Sequence, residues 1–355
     1  MPRRAAEETI EDTLVLHPKC TEHLIGHQEQ EKLLLAMINE KRLPHALLVA
    51  GQRGTGKATL AYRLARFLLS PREDSGSSLF GGTLPLESLH VAADSPVFRR
   101  VVSGGHPDLL VLEGDDIKID AARKVLEFLA LTPAEGGWRV VIIDCAEAMN
   151  RNAANALLKI LEEPPPQSVI ILISHNPGVL LPTIRSRCRM LRVSPLNETE
   201  FAGVVDRIAP HIDRNEYGKW ALLSGMSPGV ALTLIEGSAD TLYEELLDLF
   251  TRQDTVKLHA FAERFARKDA EEEWQVLKRL VFWLLARIAS ASAGIKAEVF
   301  TGEGEILRNL YSSKSAQFWT EAYEKGGRLF TETENLYLDR KQAIITLMRT
   351  ICPLR

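Results

Sequence analysis

A glycine-rich loop between an apolar run and a helical pattern restricts the fold of this chain more than any other feature. The run HALLVAG (45–51) leads into GQRGTGK, and the pattern TLAYRLARFLL follows directly. Such a loop turns backbone N–H groups onto phosphate oxygens at a helix N-terminus, and its lysine reaches the β- and γ-phosphates. A glycine-rich turn with a surface lysine is the simpler alternative. The motif predicts phosphate contacts at Gly51, Gly54, Thr55, Gly56, Lys57 and Thr59.

Four more apolar runs in the first half of the chain have the continuous pattern of strands that are buried on both faces. Strands of this kind form parallel sheets that helices cover on both sides. We therefore predict an α/β P-loop domain, with a parallel sheet flanked by helices, over residues 1–195. The four runs are DLLVLEG (108–114), WRVVIID (138–144), SVIILIS (168–174) and RMLRV (189–193).

The chain after Pro195 shows no further strand pattern, and its apolar residues recur at helical spacing. A turn sequence, SGMSPG (224–229), interrupts the first part of this region. We predict a small helical domain over residues 196–238 and an all-α domain over residues 239–355. The Ser/Gly-rich stretch 70–85 is predicted to be an exposed loop within the first domain.

The charge of the chain argues against an independent DNA-binding protein. Its formal net charge is −4, whereas a free-standing DNA-binding domain normally carries a clear excess of Lys and Arg. The four cysteines lack the spacing of a zinc site or a disulfide framework. No apolar run reaches the roughly 20 residues of a membrane span, and the first residues are too acidic for a secretory signal. We expect a metal-free protein of the reducing cytoplasm, without a membrane partner.

Two positions that a hydrolysing P-loop enzyme needs are altered. The residue after Lys57 is Ala58, where the motif places the Ser or Thr hydroxyl that holds Mg²⁺. The strand VVIID ends at Asp144, positioned for the Mg²⁺ shell, but Cys145 follows where hydrolysing relatives carry a water-activating Glu. A thiol is mostly protonated at neutral pH and cannot act as that base, and Glu147 lies too far along the chain to substitute simply. We interpret Cys145 as a small buried residue, with a reactive thiol as the alternative.

One segment closely resembles the AAA+ clamp-loader subunits, above all the delta-prime type of bacterial DNA polymerase III: residues 146–188, AEAMNRNAANALLKILEEPPPQSVIILISHNPGVLLPTIRSRC. The block NALLKILEEPP together with SRC is highly specific to clamp loaders. The resemblance covers nearly the whole chain and implies an AAA+ domain, a lid and a C-terminal collar for oligomerisation. Further matching segments are LIGHQEQEKLLLAMINEKRLPHALLVAGQRGTGKATLA (24–61), HPDLL (106–110), SGMSPGVAL (224–232) and NLYLDRK (335–341).

The resemblance implies a role for the arginine of the sequence Ser186-Arg187-Cys188. In the family this arginine projects across a subunit boundary toward the γ-phosphate of ATP that a neighbour holds. A guanidinium there stabilises the transferring phosphoryl group, and such a residue is worth ~10³–10⁵ in rate in P-loop NTPases. Arg187 is the predicted catalytic residue, an arginine finger acting in trans, and an arginine salt-bridged at a loop end is the alternative. The neighbouring Arg185 is predicted to be structural.

The resemblance also locates the nucleotide sensors of the family. Ser174 and Asn176 end the strand SVIILIS where the polar residue of the first sensor lies. At the second sensor, where motor subunits carry an arginine, small residues surround Gly229. Lys159 is interpreted as a solvated helix lysine, with a place in the lining of the DNA chamber as the alternative. The zinc-binding cysteines of some relatives are missing from residues 71–105.

Together, the altered site and the resemblance predict a clamp-loader stator without ATPase activity of its own, a non-polymerising subunit of the polymerase complex. The implied partners are the motor and delta subunits of a hetero-pentamer, the sliding clamp, and primer-template DNA reached through the complex. No cofactor is required, and the sequence leaves open whether the loop and Asp144 still bind ATP. The alternatives are an active AAA+ motor subunit and an independent DNA-binding module.

Overall fold

The computed structural model describes most of the chain as two compact units. The first comprises Met1–Pro210 with Met226–Gly229, and the second comprises His211–Gly225 with Val230–Arg355. The predicted loop at 70–85 lies largely outside the described residues. Those are 17–71, 86–114, 116–135, 137–252, 254–267, 269–290, 299–300 and 302–351.

A five-stranded sheet forms the centre of the first unit. Its strand order is β2-β3-β4-β1-β5, and every neighbouring pair is parallel. All five predicted apolar runs are strands, so the predicted α/β architecture with a parallel sheet is confirmed. The strands are β1 (Ala46–Ala50), β2 (Leu109–Leu112), β3 (Arg139–Ile143), β4 (Ser168–Ser174) and β5 (Arg189–Arg192).

Side chains of each central strand alternate between two apolar layers. Leu47 and Val49 pack into the layer on one face of the sheet, and Leu48 packs into the layer on the other. Because helices cover both faces, both sets of side chains are buried. This burial explains why the strands are continuous apolar runs in the sequence.

Among its described residues the first unit has seven α-helices, and α1 to α6 contribute side chains to the apolar layers on the two faces of the sheet. Helix α5 begins after Asn150, whose side chain accepts a hydrogen bond from the N–H of Ala153 at 2.9 Å, and it ends just before three prolines, which cannot continue a helix. The helices are α1 (Gln28–Asn39), α2 (Lys57–Leu69), α3 (Pro96–Val102), α4 (Ile119–Ala130), α5 (Arg151–Glu162), α6 (Pro182–Arg185) and α7 (Glu198–Ile208).

The rest of the described chain is helical, and none of its described residues after Arg192 forms a strand. In the second unit α12 packs against α14, while α11 and α14 pack against α15. Over the described ranges, no helix is long and apolar enough to span a membrane. The division of this region into a lid and a collar stays a prediction. The helices are α8 (Tyr217–Ser224), α9 (Pro228–Glu236), α10 (Ala239–Arg252), α11 (Thr255–Glu263), α12 (Glu271–Ser290), α13 (Glu303–Ser313), α14 (Ala316–Asn335) and α15 (Arg340–Ile351).

A fully buried carboxylate joins three helices of the second unit. Glu303, at the start of α13, is 0% exposed and forms an ion pair with Arg287 of α12. It also accepts hydrogen bonds from the Tyr243 hydroxyl of α10 at 3.1 Å and from the N–H of Val299 at 2.8 Å. A buried charge is tolerated only when it is paired in this way.

We expect Glu303→Ala to lower the free energy of unfolding by about 2–4 kcal/mol, because the substitution leaves the Arg287 charge without its carboxylate. The matched control is Glu305→Ala in the first turn of the same helix, where the side chain is exposed; its effect should stay within about 0.5 kcal/mol. Urea denaturation measures both variants. Equal losses would contradict the importance of the buried pair.

Candidate functional site

The phosphate loop lies where the C-terminal ends of three neighbouring strands meet. The loop leaves β1, and α2 begins at Lys57 directly after Gly56, whose φ of 92° is accessible mainly to glycine. The N–H of Gly51 donates to the carbonyl oxygen of Ser174 at the end of β4, at 3.2 Å. Asp144 follows β3, the other neighbour of β4. The sheet thus brings the predicted phosphate-loop and magnesium residues to one edge.

Three successive carbonyl groups of the loop are held by donors from other parts of the first unit. Because C=O and N–H point in opposite directions across a trans peptide, these contacts turn the N–H groups of the next three residues to the other side of the loop. No described residue accepts a hydrogen bond from those N–H groups, which belong to Gly54, Thr55 and Gly56. Convergent free N–H groups at a helix N-terminus fit phosphate oxygens. The three contacts are Ser227 Oγ to Arg53 O at 2.5 Å, Gly229 N to Gly54 O at 3.0 Å, and His27 Nε2 to Thr55 O at 2.6 Å.

The position of the family's second sensor has a structural reason for its small residue. A Cβ atom on Gly229 would lie 2.9 Å from the Cα of Gly54, closer than real side chains come to backbone. Ser227 beside it is 1% exposed. A larger side chain at 229 would therefore push this segment away from the phosphate loop.

Lys57 is buried, so the alternative of a surface lysine is wrong. It is 3% exposed, and its Nζ donates to the carbonyl oxygen of Gln52 in the same loop at 2.5 Å. Burial lowers the pKa of Lys57 to about 8, although the charges of Asp144 and Glu147 oppose this shift. At neutral pH the side chain therefore keeps its charge, and the ammonium is engaged by the carbonyl oxygen of Gln52.

Asp144 has no second oxygen ligand for magnesium from the start of α2. The Ala58 side chain packs against the apolar layer and offers no oxygen ligand, while Thr59, one residue later on α2, is rotated by ~100° around the helix. Asp144 accepts a hydrogen bond from the N–H of Cys145 at 2.9 Å, and burial raises its pKa. Among the residues that the structure describes, no group of acidic, His and Cys side chains could hold a metal ion.

Cys145 occupies a backbone conformation that is uncommon for a residue with a side chain. Its φ of 60° and ψ of 66° lie in the left-handed region, where residues other than glycine are strained. Burial, with the charge of Glu147 acting in the same direction, raises the pKa of the thiol. The thiol therefore stays protonated at neutral pH, which argues against a reactive thiol and leaves this position without a base. The residue is only partly buried, so the interpretation of a fully buried side chain was wrong.

Glu147 binds the residues that match the first sensor of the family. Its Oε1 accepts a hydrogen bond from the hydroxyl of Ser174 at 2.7 Å, and the N–H groups of His175 and Asn176 donate to the same oxygen. Burial favours the protonated acid, but these hydrogen bonds outweigh it and hold the pKa of Glu147 below its ordinary value. The carboxylate thus orders the end of β4.

Two residues of this edge escaped the sequence-based prediction. Glu113 follows β2 and accepts a hydrogen bond from the hydroxyl of Tyr62 at 2.8 Å, and its charge helps to raise the pKa of Asp144. Its position directly after an apolar run could have pointed to it, because parallel strands end at one edge. His27 had no comparable signal, since its contact with Thr55 joins residues that are distant in sequence.

Arg187 lies just beyond α6, and no described residue of the phosphate loop forms a hydrogen bond or ion pair with it. Its Nη2 lies 2.5 Å from the Oε1 of Glu162, and its Nη1 donates to the carbonyl oxygen of Thr183 at 3.0 Å. The side chain is still 35% exposed. The alternative of a salt-bridged arginine thus describes its contacts correctly, and the exposed fraction leaves room for a partner group.

A family model described as DNA polymerase III, delta subunit, matches residues 26–197. The matched region contains the phosphate loop, Asp144, Cys145 and Arg187. The match ends at residue 197, shortly after strand β5, whose last residue is Arg192.

The curated relatives are named for several subunits of DNA polymerase III. DNA polymerase III subunit delta' of Pseudomonas aeruginosa (strain PAO1) is 40% identical over 148 residues, which are 41% of this chain and 41% of the relative. The subunit of the same name from Bacillus subtilis (strain 168) is 34% identical over 237 residues, 65% of this chain and 66% of the relative. DNA polymerase III subunit tau of Bacillus subtilis (strain 168) is 26% identical over 200 residues, which are 55% of this chain and 32% of the relative. The alignments with the two delta' relatives span 41% and 66% of those proteins' own length.

We expect Lys57→Met to raise the free energy of unfolding at pH 7 by about 1–3 kcal/mol, because folding buries the charged ammonium of the native residue. Burial lowers its pKa from the ordinary 10.5 to about 8. Between these values the unfolded chain binds more protons than the folded chain, so the native protein gains stability as pH rises. The advantage of the Met variant should therefore shrink between pH 8 and pH 10.5.

Urea denaturation at pH 7 and pH 9.5 measures this difference. Lys124→Met is the matched control, because Lys124 is an exposed lysine of α4. A Met variant that is less stable than the native protein at pH 7, or a difference that does not change with pH, would contradict the burial of a charged Lys57.

Proposed function

We propose that this chain, whose residues 26–197 match the family model described as DNA polymerase III, delta subunit, serves as a delta-prime-type stator of a clamp loader. In this role it hydrolyses no ATP of its own and supplies Arg187 to the ATP of a neighbouring subunit. The observation that carries the proposal is that the altered phosphate loop and Arg187 lie apart within the first unit. The phosphate loop lacks its hydroxyl ligand and its base, while Arg187 is partly exposed away from that loop.

The comparisons support the delta-prime assignment over a motor subunit. Within Bacillus subtilis, the subunit named delta' is more similar to this chain than the subunit named tau, by identity and by the share of the chain that aligns. The proposed role belongs to the cytoplasm, where a bacterial chromosome is replicated.

The phosphate-loop edge also argues against an active motor. A motor needs an oxygen ligand at position 58 and a carboxylate base at position 145, and this chain has Ala58 and Cys145 there. The carboxylate of Glu147, two residues after Cys145, is engaged by Ser174 and by the N–H groups of the two residues that follow it. A free base would have to break these hydrogen bonds before it could activate water.

The proposed partners follow from an arginine that acts outside its own chain. A contact that presents Arg187 to a neighbour's nucleotide is heterologous, so the neighbour uses a different face. We propose the motor and delta subunits of a hetero-pentamer as direct partners, with the sliding clamp and primer-template DNA reached through the complex. The net charge of −4 fits a chain that shares its DNA contacts with other subunits.

We expect the purified chain, incubated with ATP and Mg²⁺, to release no phosphate above a protein-free background, because the site lacks both the hydroxyl ligand and the base. A phosphate-release assay makes the measurement, and Lys57→Ala serves as the control for contaminating ATPases. Turnover at the rate of an AAA+ motor that disappears in the Lys57→Ala protein would overturn the stator proposal in favour of an active motor.

We expect Arg187→Ala to lower DNA-stimulated ATP hydrolysis by the reconstituted loader while the variant still assembles. An arginine finger is worth ~10³–10⁵ in rate at the site it serves, so the turnover of that one site should be lost. Arg185→Ala is the matched control, an exposed arginine two residues away, and it should hydrolyse ATP at the native rate. Unchanged hydrolysis by the Arg187→Ala loader would refute the trans role.

A further inference from the structure

Glu162 is the ion-pair partner of Arg187 at the surface of the first unit. It is the last residue of α5, and its Oε1 lies 2.5 Å from Nη2 of Arg187. The two side chains are 49% and 35% exposed, respectively. The pair therefore lies where another subunit could contact it.

The backbone beneath the pair is fixed by one apolar cluster. Leu161, the residue before Glu162, is 2% exposed, and Ile184 of α6 is 0% exposed. Both belong to the apolar layer that covers the same face of the sheet. Because close-packed cores move little, the ends of α5 and α6 keep a constant separation, and so do the points from which the two charged side chains extend.

The electrostatics at the helix ends favour this pairing. A carboxylate at the C-terminal end of a helix is unfavourable, since the free carbonyl groups there carry partial negative charge. Arg187 supplies the compensating cation, and it also donates to the carbonyl oxygen of Thr183 in the last turn of α6. No other cation among the described residues forms an ion pair with Glu162.

The contacts with Glu162 and α6 do not use all the donors of Arg187. A guanidinium has five N–H groups; both hydrogen bonds of this side chain come from Nη1, and Nη2 forms the ion pair with Glu162. The Nε group donates to no described residue and is left for an external oxygen. Arg185 and Arg189 are exposed, and neither has an ion-pair partner among the residues with described positions.

We propose that Glu162 is a positioning residue, which holds the guanidinium of Arg187 in place before the neighbouring subunit presents its nucleotide. The inference rests on the proposed trans role of Arg187. A long side chain that is ordered in advance loses less conformational freedom when it meets the phosphate, and small displacements of a catalytic group cost much of its effect. Glu162 acts through Arg187 and does not itself contact the nucleotide.

The test compares four loaders that are reconstituted with the native chain, Glu162→Gln, Glu163→Gln and Arg187→Ala. Gln keeps the length of Glu162 but removes its charge, and Glu163 is the matched control, an exposed neighbouring carboxylate. Because the pair is half-exposed, we expect Glu162→Gln to lower kcat for DNA-stimulated hydrolysis by about two- to fivefold. The KM for ATP should stay unchanged, and Glu163→Gln should behave as the native chain.

A double variant, Glu162→Gln with Arg187→Ala, tests whether Glu162 acts through Arg187. It should hydrolyse ATP as slowly as Arg187→Ala alone, because the charge of Glu162 then has no guanidinium to hold. A further loss in the double variant would overturn the inference, and so would a Glu162→Gln loader with native or raised kcat. A raised kcat would show that Glu162 restrains the arginine. If Arg187→Ala itself has no effect, the proposed function fails, and the inference fails with it.

Discussion

The parallel pairing of β3, β4 and β1 is the constraint on which the site depends. Parallel strands end at the same edge, so the residues that follow these strands meet although they are far apart in sequence. The phosphate loop follows β1, Ser174 ends β4 and Asp144 follows β3. The same edge adds Glu113 after β2.

Hydrogen bonds within the chain hold the groups at this edge that the sequence motif predicts to contact a nucleotide. Lys57 donates to its own loop, and Glu147 accepts from the end of β4. Carbonyl groups of the loop are held by His27, Ser227 and Gly229. A loop that is held at several points in this way fits the proposed stator, which needs no turnover of nucleotide at this edge.

Arg187, which matches the arginine finger of the family, differs from these groups because it is partly exposed. It lies at the surface, but its anchor points belong to the same core that covers the sheet, through Leu161 and Ile184. A charged group can therefore be accessible to a partner and still be held in a defined place. The ion pair with Glu162 provides the last step of that ordering.

The sequence by itself determined the α/β architecture of the first unit, its five strands and the altered phosphate loop, because burial on both faces and glycine-rich loops leave strong local patterns. It also indicated Ala58 and Cys145 as the altered positions, since these lie beside motif residues. Only the tertiary structure decided the rest: the contacts of Ser227 and Gly229 with the loop, the engagement of Glu147, and the pairing of Arg187 with Glu162. Most of these contacts join residues on separate elements. Glu147 is close to Asp144 in sequence, but its partners lie at the end of the neighbouring strand, β4. Such contacts depend on how helices and strands pack against one another, and local patterns in the sequence do not predict this packing.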